Sequence, residues 1–306
     1  MIKISNLTIM FGEQVPVVDQ VSMDIEKGKK TIVVGESGSG KSVTILAILG
    51  VLPPEAKVEG SIMLEGNELL YLSENEMNRL RGKEIGYVPQ GGGNSMNPLM
   101  TIGDQIAESI QIHKGTGKTG ALEQAVEWLE RLGLKPGTEL AKAYPHTLSG
   151  GMRQRALMAM GAAGGAKVLL ADEPTKGLDE KRISQIGEIF MLMKHTTTLC
   201  VTHDLRFAKV IADNICVMYG GKMVEVADSN SFFSNPLHPY SQMLIAALPE
   251  NGLNCPEGYT PPFEKRTGCP FYNRCPKKET ACLNEIEMIS LGNHKVRCLS
   301  HVIRDS

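Results

Sequence analysis

Residues 29–34 (KKTIVV) run directly into Gly35-Glu36-Ser37-Gly38-Ser39-Gly40-Lys41-Ser42, and this junction constrains the fold more than any other segment. The first six residues have the texture of a short, buried apolar strand. A helix is predicted over Lys41–Leu49, closed by Gly50 with Pro53-Pro54 just beyond. A strand that turns through glycines into a helix points backbone N–H groups into the turn. That turn lies at the positive end of the helix, where an anion is favoured. The octapeptide fits G-x-x-x-x-G-K-[ST] in full. Gly35, Ser37, Gly38, Ser39 and Gly40 make the cradle, Lys41 supplies a mobile charge for the β- and γ-phosphates, and the Ser42 hydroxyl can ligate Mg. A glycine-rich turn arising by chance would lack the strand before it and the helix after it.

Such a loop works with an acidic residue that closes a second apolar strand, and Val168-Leu169-Leu170-Ala171-Asp172-Glu173 supplies one. Side chains alternate across a strand, so the two acids take separate tasks. Asp172 would hold Mg, directly or through water, and Glu173 would polarise the attacking water. A further strand over residues 198–201 ends at Thr202-His203-Asp204. Apolar strands alternating with helices predict the α/β class, a P-loop NTPase (RecA-like) core with a mostly parallel sheet. Strands over residues 3–9 and 15–25 make the N-terminal part β-rich. A helical insert is predicted over about residues 91–147, opened by GGGNSMNP. Within it Leu122, Ala125, Val126, Leu129 and Leu132 mark one helical face, Gly133 closes the helix, and Trp128 reads as a packing residue. From Ser231 onward the pattern degrades into a proline- and cysteine-rich extension. The predicted division is therefore 1–230 and 231–306.

Composition narrows the function classes. Charged residues are 22% of the 306 and the formal net charge is −2, so no basic field points to nucleic acid as a partner. No stretch approaches the roughly 20 apolar residues that cross a bilayer, and the opening MIKISNLTI is not a secretory signal. The expectation is a protein in the cytoplasm that reaches a membrane only by docking. Of 7 cysteines, Cys200 and Cys216 sit in apolar segments, whereas Cys255, Cys269, Cys275, Cys282 and Cys298 crowd the end of the chain. In a cytosolic setting such crowding points to metal or redox chemistry before disulfides.

The string Leu148-Ser149-Gly150-Gly151-Met152-Arg153-Gln154-Arg155 selects among P-loop proteins. It resembles the signature of the ATP-binding-cassette family, LSGGQ, here LSGGM. Other landmarks follow in the family's order. Gln90 stands at the glutamine loop and, by the resemblance, reaches Mg. Gly177-Leu178-Asp179 follows the acidic pair, His203 matches the switch histidine, and Phe11 takes the place of the aromatic that stacks on adenine. Taken singly, Gln90 is an ordinary polar residue, His203 a capped histidine and Phe11 a core aromatic. Their order and spacing, over about residues 1–230, carry the resemblance. It implies that Ser149, Gly150 and Gly151 of one subunit cover the γ-phosphate bound by another, so that two ATP molecules are buried in a head-to-tail dimer.

Membrane helices, a long coiled coil and a second cassette would mark exporters, DNA-repair members and translation factors, and none is evident. GESGSGKSVT, NPLMTIGDQIAE, PHTLSGGMRQRALMAM and NPLHPYSQMLIAALP resemble the ATPase subunits of oligopeptide, dipeptide and nickel importers. That resemblance implies a second ATPase subunit, identical or different, two membrane permease subunits and, indirectly, an extracytoplasmic substrate-binding protein. The chain would sit at the cytoplasmic face of the membrane. In some members an iron–sulfur cluster is bound, which makes Cys269, Cys275, Cys282 and Cys298 its implied ligands. Spacing alone leaves a cluster, a zinc ion or free thiols open, because compact CxxC pairs are absent. Two departures stand out: Gly91-Gly92-Gly93 replaces an acidic residue and proline, and 161–166 lacks the proline common before the acidic strand. The competing assignments are a soluble cassette ATPase that remodels a protein or nucleic-acid assembly, and a GTPase. For the latter, Thr175-Lys176-Gly177-Leu178-Asp179 carries one residue too many to read guanine.

Overall fold

The computed structural model describes residues 1–12, 15–91, 95–193, 195–252 and 267–301. The chain forms two compact units, Met1–Tyr71 with Val201–Ser306, and Leu72–Cys200. The first unit opens with β1 (Ile2–Phe11), β2 (Val18–Ile25), β3 (Lys30–Val34), α1 (Lys41–Leu49), β4 (Ala56–Leu64) and β5 (Asn67–Glu68). The second holds α2 (Glu74–Leu80), β6 (Ile85–Val88), α3 (Ile102–Lys114), α4 (Lys118–Arg131), α5 (Gly137–Leu140), α6 (Gly150–Ala163), β7 (Val168–Asp172) and α7 (Glu180–Leu192). The chain leaves the second unit within β8 (Thr197–Thr202). The first unit resumes with α8 (Leu205–Ile211), β9 (Asn214–Tyr219), β10 (Lys222–Asp228), α9 (Ser229–Ser234), α10 (Pro239–Ala246), β11 (Ile289–Leu291) and β12 (His294–Val296).

In the first unit an antiparallel sheet runs β2-β1-β4-β5. β1 alternates buried Ile2, Ile4, Leu7 and Ile9 with more exposed residues, as a strand with one covered face must. A second set of strands runs β11-β12-β10-β9-β3. β3 is buried at all five positions and pairs in parallel with β9, Val34 opposite Val217. In the second unit β6 and β7 pair in parallel from Ile85↔Val168 to Val88↔Ala171.

The extension departs from the sequence expectation. Residues beyond 231 do not trail off, because β12 pairs antiparallel with β10, Glu225 opposite Val296. The fully buried Glu225 carboxylate accepts from Leu237 N, His238 N and His294 Nε2 at 2.7–2.9 Å, tying α10 and the β11–β12 hairpin to one group. Periodicity missed these strands because each is three residues long. They add antiparallel strands beside β10 to a sheet whose β3–β9 pair is parallel.

The helical insert contains α3, α4 and α5. On α4 the buried stripe is Ala121, Ala125 and Leu129, with Leu132 after it, while Leu122 and Val126 are only half covered. The predicted face is thus rotated by about one residue. Trp128 is half-buried with the Arg131 guanidinium 5.0 Å above its ring. The glycines around 161 have a packing reason. A Cβ at Gly161 would lie 2.6 Å from Tyr87 O, and one at Gly86 would lie 2.2 Å from Gly161 O, so α6 lies backbone to backbone on β6. Gly92 and Gly93 fall outside the described residues.

Candidate nucleotide site

The phosphate loop lies between β3 and α1, as the sequence predicts. Gly40 caps α1 with φ +96°, and a Cβ there would meet Val17 O at 2.6 Å. At Gly35 a Cβ would fall 2.1 Å from Met218 O, so β9 presses against the loop and only glycine fits. Buried Lys41 donates through Nζ to Gly35 O at 2.8 Å and Glu36 O at 2.9 Å, and lies 3.4 Å from Ser39 Oγ. Ser37 and Gly38 are exposed at the crown, and Ser42 is partly exposed on the first turn of α1. A lysine cation held at a glycine-rich turn that opens a helix makes a candidate anion cradle.

In the second unit Asp172 ends β7 and Glu173 follows it, 5% and 8% exposed. Glu173 adopts φ +47°, a left-handed backbone costing about 1–3 kcal/mol for a non-glycine residue and typical of functional positions. The pair's charge is felt nearby. Burial first, then Asp172, pushes the Tyr87 hydroxyl up to about 12. Burial, then Glu173 and Asp172, raises the Cys200 thiol well above its ordinary range. Exposed Ser149 caps α6, its hydroxyl accepting from Met152 N at 3.3 Å, and Gly150 and Gly151 form the first turn. A Cβ at Gly151 would stand 3.2 Å from Arg182 Cδ, placing α7 beside the signature turn.

The remaining candidates fall at strand ends. Gln90 is exposed two residues past β6, in the second unit. His203 is exposed just after β8, beside Asp204, which caps α8 by accepting from Arg206 N and Phe207 N. Phe11 ends β1, half-buried. Phe11, the phosphate loop and His203 thus belong to the first unit. Gln90, Ser149, Gly150, Gly151, Asp172 and Glu173 belong to the second.

The four clustered cysteines come together in space. Cys269, Cys275, Cys282 and Cys298 do line one cavity together with His238, although 29 residues separate the first from the last. Its free volume is ≈ 20 Å³, room for about one water. Among the described residues no group of three or more His, Cys, Asp or Glu side chains is arranged to hold a metal ion. Cys269 Sγ instead faces His238 Nε2 at 3.8 Å, and Cys298 Sγ faces Ser300 Oγ at 3.0 Å. All four are free thiols, and burial pushes Cys269 up to about 12. Cys255 lies outside the described residues.

His238 gives this region a pH dependence. Its Nδ1 accepts from Tyr240 N at 3.0 Å to cap α10, and burial, then the neighbouring His301, lowers its pKa from 6.5 to about 3. The unfolded chain therefore binds the extra proton between pH 6.5 and 3. Stability from this group is complete above 6.5 and lost as pH falls toward 3. Lowering pH from 7 to 5 is expected to cost about 2 kcal/mol through His238. His238→Asn, which keeps a capping acceptor but cannot titrate, should flatten that part of a denaturation series. An unchanged slope would exclude His238 as the source.

Sequence reasoning missed two residues that bear on the phosphate loop. Tyr240 Oη accepts from Glu36 N at 2.9 Å, and Arg274 pairs with the Glu36 carboxylate at 2.8 Å. Tyr240 falls inside NPLHPYSQMLIAALP, which carried the importer resemblance, but nothing local there or around Arg274 points to a partner some 200 residues away.

Comparison with known proteins agrees with this geometry. Residues 18–176 match the family described as ABC transporter, and residues 224–282 match the oligopeptide/dipeptide transporter C-terminal region. The chain is 38% identical to the dipeptide transport ATP-binding protein DppD of Bacillus subtilis, over 97% of this chain and 93% of that protein. It is 39% identical to the oligopeptide transport ATP-binding protein AppD of the same organism, over 97% and 96%. Among solved structures, a dimeric post-hydrolysis state of the ATP-binding cassette MJ0796, bound to ADP and Pi, matches with a TM-score of 0.67. The identity there is 26%, covering 75% of this chain and 99% of that one.

Proposed function

The chain belongs to the ABC transporter family and is an ATPase, and from this premise we propose that it powers an importer of oligopeptides or dipeptides. Nickel or similar metal chelates are a narrower possibility for cargo, resting on the subfamily resemblance alone. Residues 1–230 form the cassette and 231–306 the extension. Lys41 and Ser42 grip the nucleotide with the backbone of Gly35, Ser37, Gly38, Ser39 and Gly40, while Phe11 packs on the base. Glu173 draws the proton of the attacking water and His203 steadies the γ-phosphate. Ser149, Gly150 and Gly151 act on the nucleotide of a second ATPase subunit. The oxygen donors Ser42, Gln90 and Asp172 suit Mg, which would neutralise the phosphates.

The observation that supports the import assignment is an open groove of ≈ 500 Å³ on the helical insert, where Leu99, Met100, Ile112 and Tyr144 stand among polar residues that include Asp104 and Glu108. Leu99 is 85% exposed and Ile112 67%, a concentration of apolar surface that marks an interaction site. Among the described residues no helix is long and apolar enough to cross a membrane. Coupling therefore needs permease subunits, whose cytoplasmic segments this groove suits, with the chain held peripherally at the membrane. A substrate-binding protein outside the membrane would deliver cargo to those permeases. Leu99→Asp with Ile112→Asp should abolish co-purification with the permeases and leave ATP affinity of the isolated chain within about twofold, since neither residue is near a phosphate ligand in sequence. Intact assembly of the double variant would remove the groove from the account. A wild-type chain that never associates with membrane proteins would favour the remodelling ATPase instead.

A further inference from the structure

The extension reaches into the phosphate loop at one residue, Glu36, and holds it from two sides. The Glu36 backbone N–H donates to Tyr240 Oη of α10 at 2.9 Å. Its carboxylate oxygens lie 2.8 and 3.0 Å from Arg274 Nη1, on the 3-10 turn Tyr272–Arg274. Its carbonyl is one of the two that hold Lys41 Nζ. All of these residues belong to the first unit.

The arrangement is built rather than incidental. The Arg274 side chain is 7% exposed, against 43% for Glu36. Arg274 Nη1 also lies 3.2 Å from Tyr219 Oη, and the guanidinium stands over the rings of Tyr219 and Phe271 at 5.9 and 5.6 Å. Tyr219, Tyr240 and Phe271 pack on one another with centroids 4.4–5.4 Å apart. Burial opposes the guanidinium's charge, but hydrogen bonds to Glu36 and Tyr219 outweigh it and hold the group charged. Charge supplies the function. Glu36 puts an anion inside a loop that must accept a triphosphate, and a nearby cation cancels that repulsion.

We propose that Arg274 and Tyr240 are positioning residues for the phosphate loop, so that docking of the extension sets the affinity for ATP. Arg274 neutralises and orients Glu36, and Tyr240 fixes its backbone. The inference rests on the loop being the nucleotide site. Mg-ATP binding to wild type therefore tests that premise separately: absence of binding there defeats the site assignment, not the role of Arg274.

The experiment is equilibrium binding of Mg-ATP, with steady-state ATPase kinetics and thermal melting, on full-length Arg274→Gln, Glu36→Gln and the double variant. Arg274→Gln should weaken ATP affinity about tenfold and raise KM in step, with kcat at saturating ATP within about twofold. Adding Glu36→Gln should restore affinity to within about threefold of wild type, because the uncancelled carboxylate is gone. Glu36→Gln alone should melt lower, since it strands a buried guanidinium, and yet bind ATP at least as tightly as wild type. Arg274→Lys, which keeps the charge, should lose less than Arg274→Gln. Wild-type affinity in Arg274→Gln would overturn the proposal. So would a loss that Glu36→Gln does not repair, which would mark Arg274 as a mere anchor for the extension.

Discussion

Glu173→Gln is expected to bind Mg-ATP within about threefold of wild type and to hydrolyse it about 100- to 10,000-fold more slowly, the span a positioned general base contributes. The residue stands just past the end of β7, 8% exposed and held in a left-handed backbone conformation. Glutamine keeps the shape and hydrogen-bonding length of the side chain but cannot take a proton from water, so the loss falls on kcat. With hydrolysis blocked, an ATP-bound dimer should accumulate, visible as a mass doubling in light scattering that reverses when nucleotide is removed. Turnover near the wild-type rate would remove Glu173 as the base. Cys200 provides a control: buried beside both carboxylates, it has no nucleotide role here, and Cys200→Ser should leave kcat within about twofold if the protein folds.

Lys41→Ala is expected to weaken Mg-ATP binding about 100-fold or more. Two charge-assisted hydrogen bonds to phosphate oxygens are each worth about 1.5–3 kcal/mol. The same substitution removes the donor to Gly35 O and Glu36 O, so the melting temperature should fall slightly as well. The two measurements separate the roles: a large loss of affinity with a small loss of stability marks a ligand contact. A drop in stability with affinity preserved would mean that Lys41 only braces the loop.

What could be read in the sequence follows from how local each signal is. The phosphate loop was legible because strand, glycines and helix are contiguous, and the helix runs over Lys41–Leu49 as expected. The acidic pair at the end of β7 was legible for the same reason. The extension was not. Its strands β11 and β12 are too short to show a period, and what holds it is the buried Glu225 carboxylate and the aromatic cluster of Tyr219, Tyr240 and Phe271, whose members lie far apart in the chain. The cysteines show the opposite case. Their crowding in sequence was genuine, and they meet in space around a gap of ≈ 20 Å³ with no group of three or more arranged for a metal ion among the described residues.

The whole account depends on the loop from Gly35 to Ser42 holding a nucleotide triphosphate with a divalent cation. Calorimetric titration of ATP into the purified chain, with its ATPase partner where that partner differs, measures this directly. The prediction is saturable binding of about one ATP per phosphate loop in the presence of Mg, weakened sharply when the cation is chelated and lost in Lys41→Ala. No magnesium-dependent binding of ATP by a folded wild-type protein would contradict the account at its base.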